Sequence, residues 1–81
     1  EVKTLADRLG FDWELVRSAI LADGRIAHAH TLVPGPDRKH GFGGSCLPKD
    51  LANLVKQLID AGIDNAVTWA ALNRNVKDRE R

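Results

Sequence analysis

Between Gly24 and Pro48 the chain carries five of its seven glycines and all three of its prolines, and apolar periodicity stops there. Glycine is entropically costly to hold in a helix or strand, and proline cannot donate a backbone hydrogen bond, so this segment cannot continue the regular structure on either side. An 81-residue chain must then fold as helical stretches joined by a long loop, Arg25 to Pro48. A chain of this size is read as one small domain over residues 1–81. Such a domain buries roughly 60 to 65 per cent of its unfolded surface and has no room for a large enclosed active site. Long loops inside small domains are mostly functional or disordered, which makes residues 25–48 the place to look for function.

The flanking segments have helical periods. Val2, Leu5, Ala6 and Leu9 fall at i, i+3, i+4 and i+7, with Gly10 where a left-handed cap would sit. This first helix is expected to begin before Glu1, and both chain ends read as cut. Asp12 is placed to cap a second helix, with Phe11 and Val16 as a staple and Trp13, Val16 and Ile20 along one side, up to Asp23-Gly24. After the loop, Leu51, Leu54, Val55, Leu58 and Ile59 give the strongest amphipathic stripe, with Pro48 in the first turn and Gly62 as the stop. A last helix is expected from Asp64 as cap, with Trp69, Leu72 and Val76 on its apolar side. There is no strand pattern, repeat or low-complexity tract. The expected class is all-α, about four helices with the glycine-rich loop between the second and third.

Hydrophobic residues at 43% and charged residues at 28% describe a globular chain rather than a disordered one. Twelve Lys and Arg against eleven Asp and Glu leave a formal charge of +1, which gives no general pull toward nucleic acid or anionic membrane. No apolar run approaches the roughly 20 residues of a membrane span, and no signal-peptide pattern opens the chain. Cys46 is the single cysteine, which excludes an internal disulfide and two-cysteine metal motifs and fits a reducing compartment. A cytoplasmic protein is expected.

The stretch Gly41-Phe42-Gly43-Gly44-Ser45-Cys46-Leu47-Pro48-Lys49-Asp50 concentrates the chemistry. Three glycines within four residues let a backbone approach a ligand closely and offer it amide hydrogens. Cys46 stands at the edge of a helix N-terminus, where the positive dipole end and the Lys49 ammonium would favour thiolate. Asp50 can lie one turn from the sulfur, holding a water or orienting Lys49. A lone cysteine is by default an inert, buried small hydrophobe, so spacing leaves nucleophile and packing residue both open. The run is neither the dinucleotide fingerprint, since no strand precedes it, nor a P-loop, since no Gly-Lys-Ser or Gly-Lys-Thr occurs.

Those ten residues resemble the active-site signature of the UDP-glucose/GDP-mannose dehydrogenase family. Asp23-Gly24-Arg25-Ile26 and Asn73-Arg74-Asn75 are similar to further family segments on either side. The resemblance implies an all-helical central domain at the dimer core of a larger α/β enzyme, with an NAD-binding domain before it and a nucleotide-sugar domain after it. It implies an oxidation of a sugar C6 alcohol to a carboxylate with two NAD. Cys46 would be the nucleophile and Asp50 the carboxylate that positions water; Lys49 would contact NAD. Lys39, Gly41, Phe42 and Gly43 would wrap the nucleotide sugar, and Arg25 would reach the sugar site of a second copy in a homodimer. Gly41-Phe42 leans toward UDP-glucose over GDP-mannose. The family's catalytic lysine and asparagine would fall before Glu1, so the 81 residues alone are expected to be inactive.

The remaining residues have plainer readings. His28 and His30 lack a third ligand nearby and are not read as a metal site. Arg38, Lys39 and His40 are by default a wet loop surface, with a pyrophosphate-facing role as the alternative. Trp13 and Trp69 are read as packing, and Lys77 to Arg81 as a solvated helix face. A different class remains open, a non-catalytic helical interaction module whose loop only connects or binds a partner.

Overall fold

The computed structural model describes all 81 residues, Glu1 to Arg81. Four α-helices follow in order: α1 Val2–Leu9, α2 Trp13–Leu21, α3 Leu47–Asp60 and α4 Ala66–Arg79, with a short 3₁₀ helix, His28–Thr31, after α2. The expected all-α, four-helix class is what is found. No helix is long and apolar enough to cross a membrane. The chain divides into two compact units, Glu1–Val33 and Pro34–Arg81, so the boundary falls inside the segment expected to be one loop.

In the first unit α1 and α2 form a helical hairpin around the small side chain of Ala6, which is buried. Gly10 takes a left-handed conformation (φ 77°); its amide donates to the Asp7 carbonyl and the Phe11 amide to the Ala6 carbonyl at 2.9 Å. That is a Schellman ending, which satisfies carbonyls the helix leaves without partners. Two residues on, the Asp12 carboxylate accepts the Glu14 amide at 2.9 Å and starts α2, as its position predicts. Arg17 then ties the 3₁₀ helix to α2: it pairs with Glu14 at 2.7 Å and donates to the Thr31 hydroxyl at 3.3 Å.

In the second unit α3 packs on α4 through Val55, its one buried apolar residue. Leu51 and Leu58 are half-buried. Leu54 and Ile59 are 48% and 55% exposed, and on α4 Trp69 and Val76 are about half exposed, so this chain covers only part of each apolar stripe. Pro48 lies in the first turn of α3, where its missing amide hydrogen costs nothing. At the other end the Gly62 amide donates to Ile59 and the Ile63 amide to Leu58, again a Schellman ending, with Gly62 at φ 70°. Asp64 is not itself the residue flanking α4; that is Asn65, but the Asp64 carboxylate accepts the Ala66 amide at 3.0 Å and does the capping expected of it.

A Cβ at Gly62 would meet nothing within 4 Å, so substitution there tests the backbone alone. Gly62→Ala is expected to destabilise the protein by about 1 kcal/mol, and Gly62→Asn by less, because asparagine tolerates the left-handed region. Chemical denaturation of the two variants beside the parent protein measures this.

Candidate active site

Helix α3 opens at Cys46, whose carbonyl accepts the Asp50 amide at 2.9 Å, the first bond of the helix. Cysteine sulfur is a weak acceptor, and its side chain makes no capping hydrogen bond here. The thiol is exposed, with the Ser45 hydroxyl 3.7 Å from the sulfur. In the first turn beyond it, the Lys49 ammonium donates to Asp50 Oδ1 at 2.7 Å, and both side chains are exposed. An accessible sulfur thus stands at the positive end of a helix dipole, with a carboxylate–ammonium pair in the first turn of that helix. In this chain the thiol is not buried among apolar side chains.

The segment before Cys46 is held against α4. Asn75 is the buried polar residue of the chain, 7% exposed. Its Oδ1 accepts the Phe42 amide at 2.6 Å and its Nδ2 donates to the Phe42 carbonyl at 2.9 Å. One turn on, Arg79 pairs with Asp37 at 2.7 Å and donates to the His40 carbonyl at 3.4 Å. Asp37 also accepts the Lys39 amide at 3.0 Å, closing a turn in which Arg38 sits at φ 64°. The Arg79 guanidinium and, after it, the Lys39 amide hold the Asp37 carboxyl below the usual carboxylate range.

The glycines of the motif face this helix. A Cβ at Gly41 (φ 75°) would run into Asn75 Oδ1 and lie 3.3 Å from Asp78 Cβ; one at Gly43 would lie 2.6 Å from Arg79 Nη2. The close backbone approach that glycine permits is here an approach to α4. Gly44, at φ 91°, has open space around it.

Lys39, Gly41, Phe42, Gly43, Cys46, Lys49 and Asp50 all belong to the second unit, and Arg25 to the first. The Arg25 side chain is largely exposed, its guanidinium on the Asp23 carboxylate, which raises its already high pKa. Lys39 is exposed and enters the geometry through its backbone. The closing run expected to be a solvated face needs correction. Arg79 and Asp78 are 27% and 19% exposed at their side chains, Arg79 on Asp37 and Asp78 on Arg74, whose guanidinium lowers the Asp78 pKa. The contacts of Asn75 and Arg79 with residues 37–43 are what sequence reasoning missed: Asn75 stood only within a family-like segment and Arg79 only within a charged run. The available signal was asparagine, a poor interior helix residue, set beside Leu72 and Val76 on the expected apolar side of α4.

No three His, Cys, Asp or Glu side chains come together as a metal site. For NAD, the four helices supply no strand–turn–helix dinucleotide cradle, and the exposed Lys49 ammonium fits a phosphate contact at most.

Residues 1–77 match the central domain of the UDP-glucose/GDP-mannose dehydrogenase family, and the chain belongs to that family. Among curated proteins it is similar to the UDP-glucose 6-dehydrogenase of Pseudomonas aeruginosa, 34% identical over 80 residues, which is 99% of this chain and 17% of that protein. It is 38% identical over 79 residues to the UDP-glucose 6-dehydrogenase of Rhizobium meliloti (95% of this chain, 17% of that protein). The enzyme of the same name from Rickettsia bellii is 35% identical over 75 residues, 93% of this chain and 16% of that protein. The chain therefore spans about one sixth of the length of these relatives. No solved structure matches it significantly.

Because Asp37 titrates below its ordinary value, near 3.9 when unperturbed, its pairing with Arg79 contributes stability above about pH 4. That contribution is lost as pH falls through the lower folded value. Protection of the amides of residues 37–43, with exchange corrected for the intrinsic slowing of amide exchange toward acid, is expected to decrease from about pH 6 to pH 3, and Asp37→Asn to be less protected at every pH with a flatter profile.

Proposed function

We propose that this chain is the central domain of an NAD-dependent nucleotide-sugar 6-dehydrogenase acting on UDP-glucose, and that Cys46 is its nucleophile. The observation that carries this reading is the exposed Cys46 thiol at the head of α3 with Lys49-Asp50 in its first turn, in a chain that matches the family's central domain. NAD, bound mainly by another domain of the whole protein, supplies hydride acceptance, twice per turnover.

The rest concerns this chain's own residues. Once the C6 alcohol has become an aldehyde, the Cys46 thiolate adds to its carbon, and the oxygen takes a proton or a hydrogen bond. Departure of the second hydride from that carbon to NAD, with release of the proton on the oxygen, leaves a thioester. Water then adds, the carbon–sulfur bond breaks, the thiolate leaves and the sugar carries a carboxylate. Sulfur suits both halves because it attacks carbonyl carbon readily and departs readily as thiolate. Asp50 would hold the water, oriented through its bond to Lys49, whose ammonium also reaches the dinucleotide. Lys39, Gly41, Phe42 and Gly43 form the segment that wraps the sugar nucleotide, and Arg25 serves the sugar site of a second copy. A homodimer would cover apolar side chains this chain leaves open, such as Leu5 and Leu9 in the first unit and Leu54 and Ile59 in the second. A cytoplasmic location belongs to the same proposal, and the 81 residues without the dinucleotide-binding domain are expected to be inactive.

In the full-length protein, Cys46→Ala is expected to reduce turnover with UDP-glucose by about a thousand-fold or more. Cys46→Ser is expected to stall after the aldehyde, because an alkoxide is a poor leaving group at an acyl carbon. Retained turnover in Cys46→Ala would falsify the nucleophile assignment. Turnover of GDP-mannose in preference to UDP-glucose would reassign the substrate, and absence of turnover with either would favour a non-catalytic helical module.

A further inference from the structure

The side chains that fasten residues 37–43 to α4 take no part in the chemistry assigned to Cys46. Asn75 spends both polar ends of its carboxamide on a single residue, accepting from the Phe42 amide and donating to the Phe42 carbonyl at 2.6 and 2.9 Å. Such a pair does for an isolated stretch of backbone what a neighbouring strand does in a sheet, and it fixes the peptide units on both sides of Phe42. Arg79 touches the same stretch at three further points: the Asp37 carboxylate, the His40 carbonyl, and the face of Gly43, where any Cβ would meet its guanidinium. Only Gly44 and Ser45 separate Gly43 from Cys46, so a shift of the fastened stretch is passed to the sulfur within a few residues.

We propose that Asn75 and Arg79 are positioning residues for nucleotide-sugar binding: α4 sets the backbone of residues 37–43 in the shape that receives the sugar nucleotide and aims Cys46 at its C6 carbon. This rests on the reading that the segment wraps the substrate. Both residues act through the loop and neither is assigned a contact with substrate. An error of about 1 Å in such a segment is enough to cost a large factor in rate, which is why its shape is worth fixing with a buried amide. The arrangement also gives Gly41 and Gly43 a second reason to be glycine, since side chains there would lift the segment off the helix.

The test uses the full-length protein with UDP-glucose as probe. Asn75→Asp keeps the size and one acceptor oxygen but sets a carboxylate oxygen against the Phe42 carbonyl. It is expected to raise KM for UDP-glucose about tenfold, roughly the worth of one buried hydrogen bond, while KM for NAD stays within about twofold. Exchange of the Phe42 amide hydrogen should accelerate in the same variant. Arg79→Lys, which keeps the charge on Asp37 but loses the fork that also reaches His40, should give a smaller rise of the same kind; it replaces Asn75→Asp if that variant does not fold. A purely structural role predicts instead a lower thermal midpoint with both KM values unchanged, or both raised together, and either result overturns the proposal. A control separates it from the reading it rests on. If UDP-glucose fails to slow alkylation of Cys46 in the unsubstituted protein, the substrate reading falls and this proposal with it. If UDP-glucose protects the unsubstituted protein and Asn75→Asp at the same concentration, the positioning role alone falls.

Discussion

The two hydrogen bonds between the Asn75 carboxamide and the Phe42 backbone hold together parts of the second unit that are far apart in sequence. A buried amide without partners costs about 1–3 kcal/mol, and an unpaired peptide group beside it costs a similar amount. Here each satisfies the other, and no buried side-chain nitrogen or oxygen is left without a partner. The pair is also orienting. A carboxamide has one donor end and one acceptor end, so Phe42 can be received in one direction only, and the glycines on either side must turn the same way each time. Arg79, one helical turn along, extends the contact to Asp37 and His40.

From that anchor the geometry runs forward to the sulfur. Past Gly44 the chain enters α3 through Cys46, where the usual capping side chain is absent and Pro48 needs no amide partner. A serine or aspartate in place of Cys46 would cap α3 better. Cys46 therefore starts α3 without a side-chain cap and holds its thiol in the open. Lys49 and Asp50 follow on the first turn and bond each other, so the cation and the carboxylate arrive as a pair whose orientation is set by α3.

Much of this was legible in the sequence because it is local. The left-handed caps at Gly10 and Gly62, the Asp12 and Asp64 caps, Pro48 in the first turn and the four helices each follow from residues within one or two turns of one another. What was not legible depends on contacts across dozens of residues. Arg79 looked like one more charge on a solvated face because its partner Asp37 lies on the far side of α3 in sequence. The close approach of Gly41 and Gly43 to α4 is likewise a contact between residues far apart in sequence. The period of the apolar stripe on α3 identifies the stripe, but not that Val55 alone is buried while Leu54 and Ile59 stay open.

The spacing of the two partners explains why the contact is possible at all. Asn75 and Arg79 stand four apart on a helix, which stacks them on one face about 6 Å apart along the axis. Gly41 and Gly43 stand two apart on a non-helical chain, a separation of at most about 7 Å. The two steps are of similar length, so one turn of helix spans both glycines: Asn75 and the Arg79 stem lie at Gly41, and the Arg79 guanidinium at Gly43. Gly-x-Gly and Asn-x-x-x-Arg are therefore two halves of a single surface although more than thirty residues separate them. A larger residue at 41 or 43 can be accommodated only if the α4 side opposite it shrinks, and a smaller residue at 75 or 79 leaves the loop without the bonds that shape it. Coupling of this kind places part of the specification of residues 37–43 outside that segment, on α4.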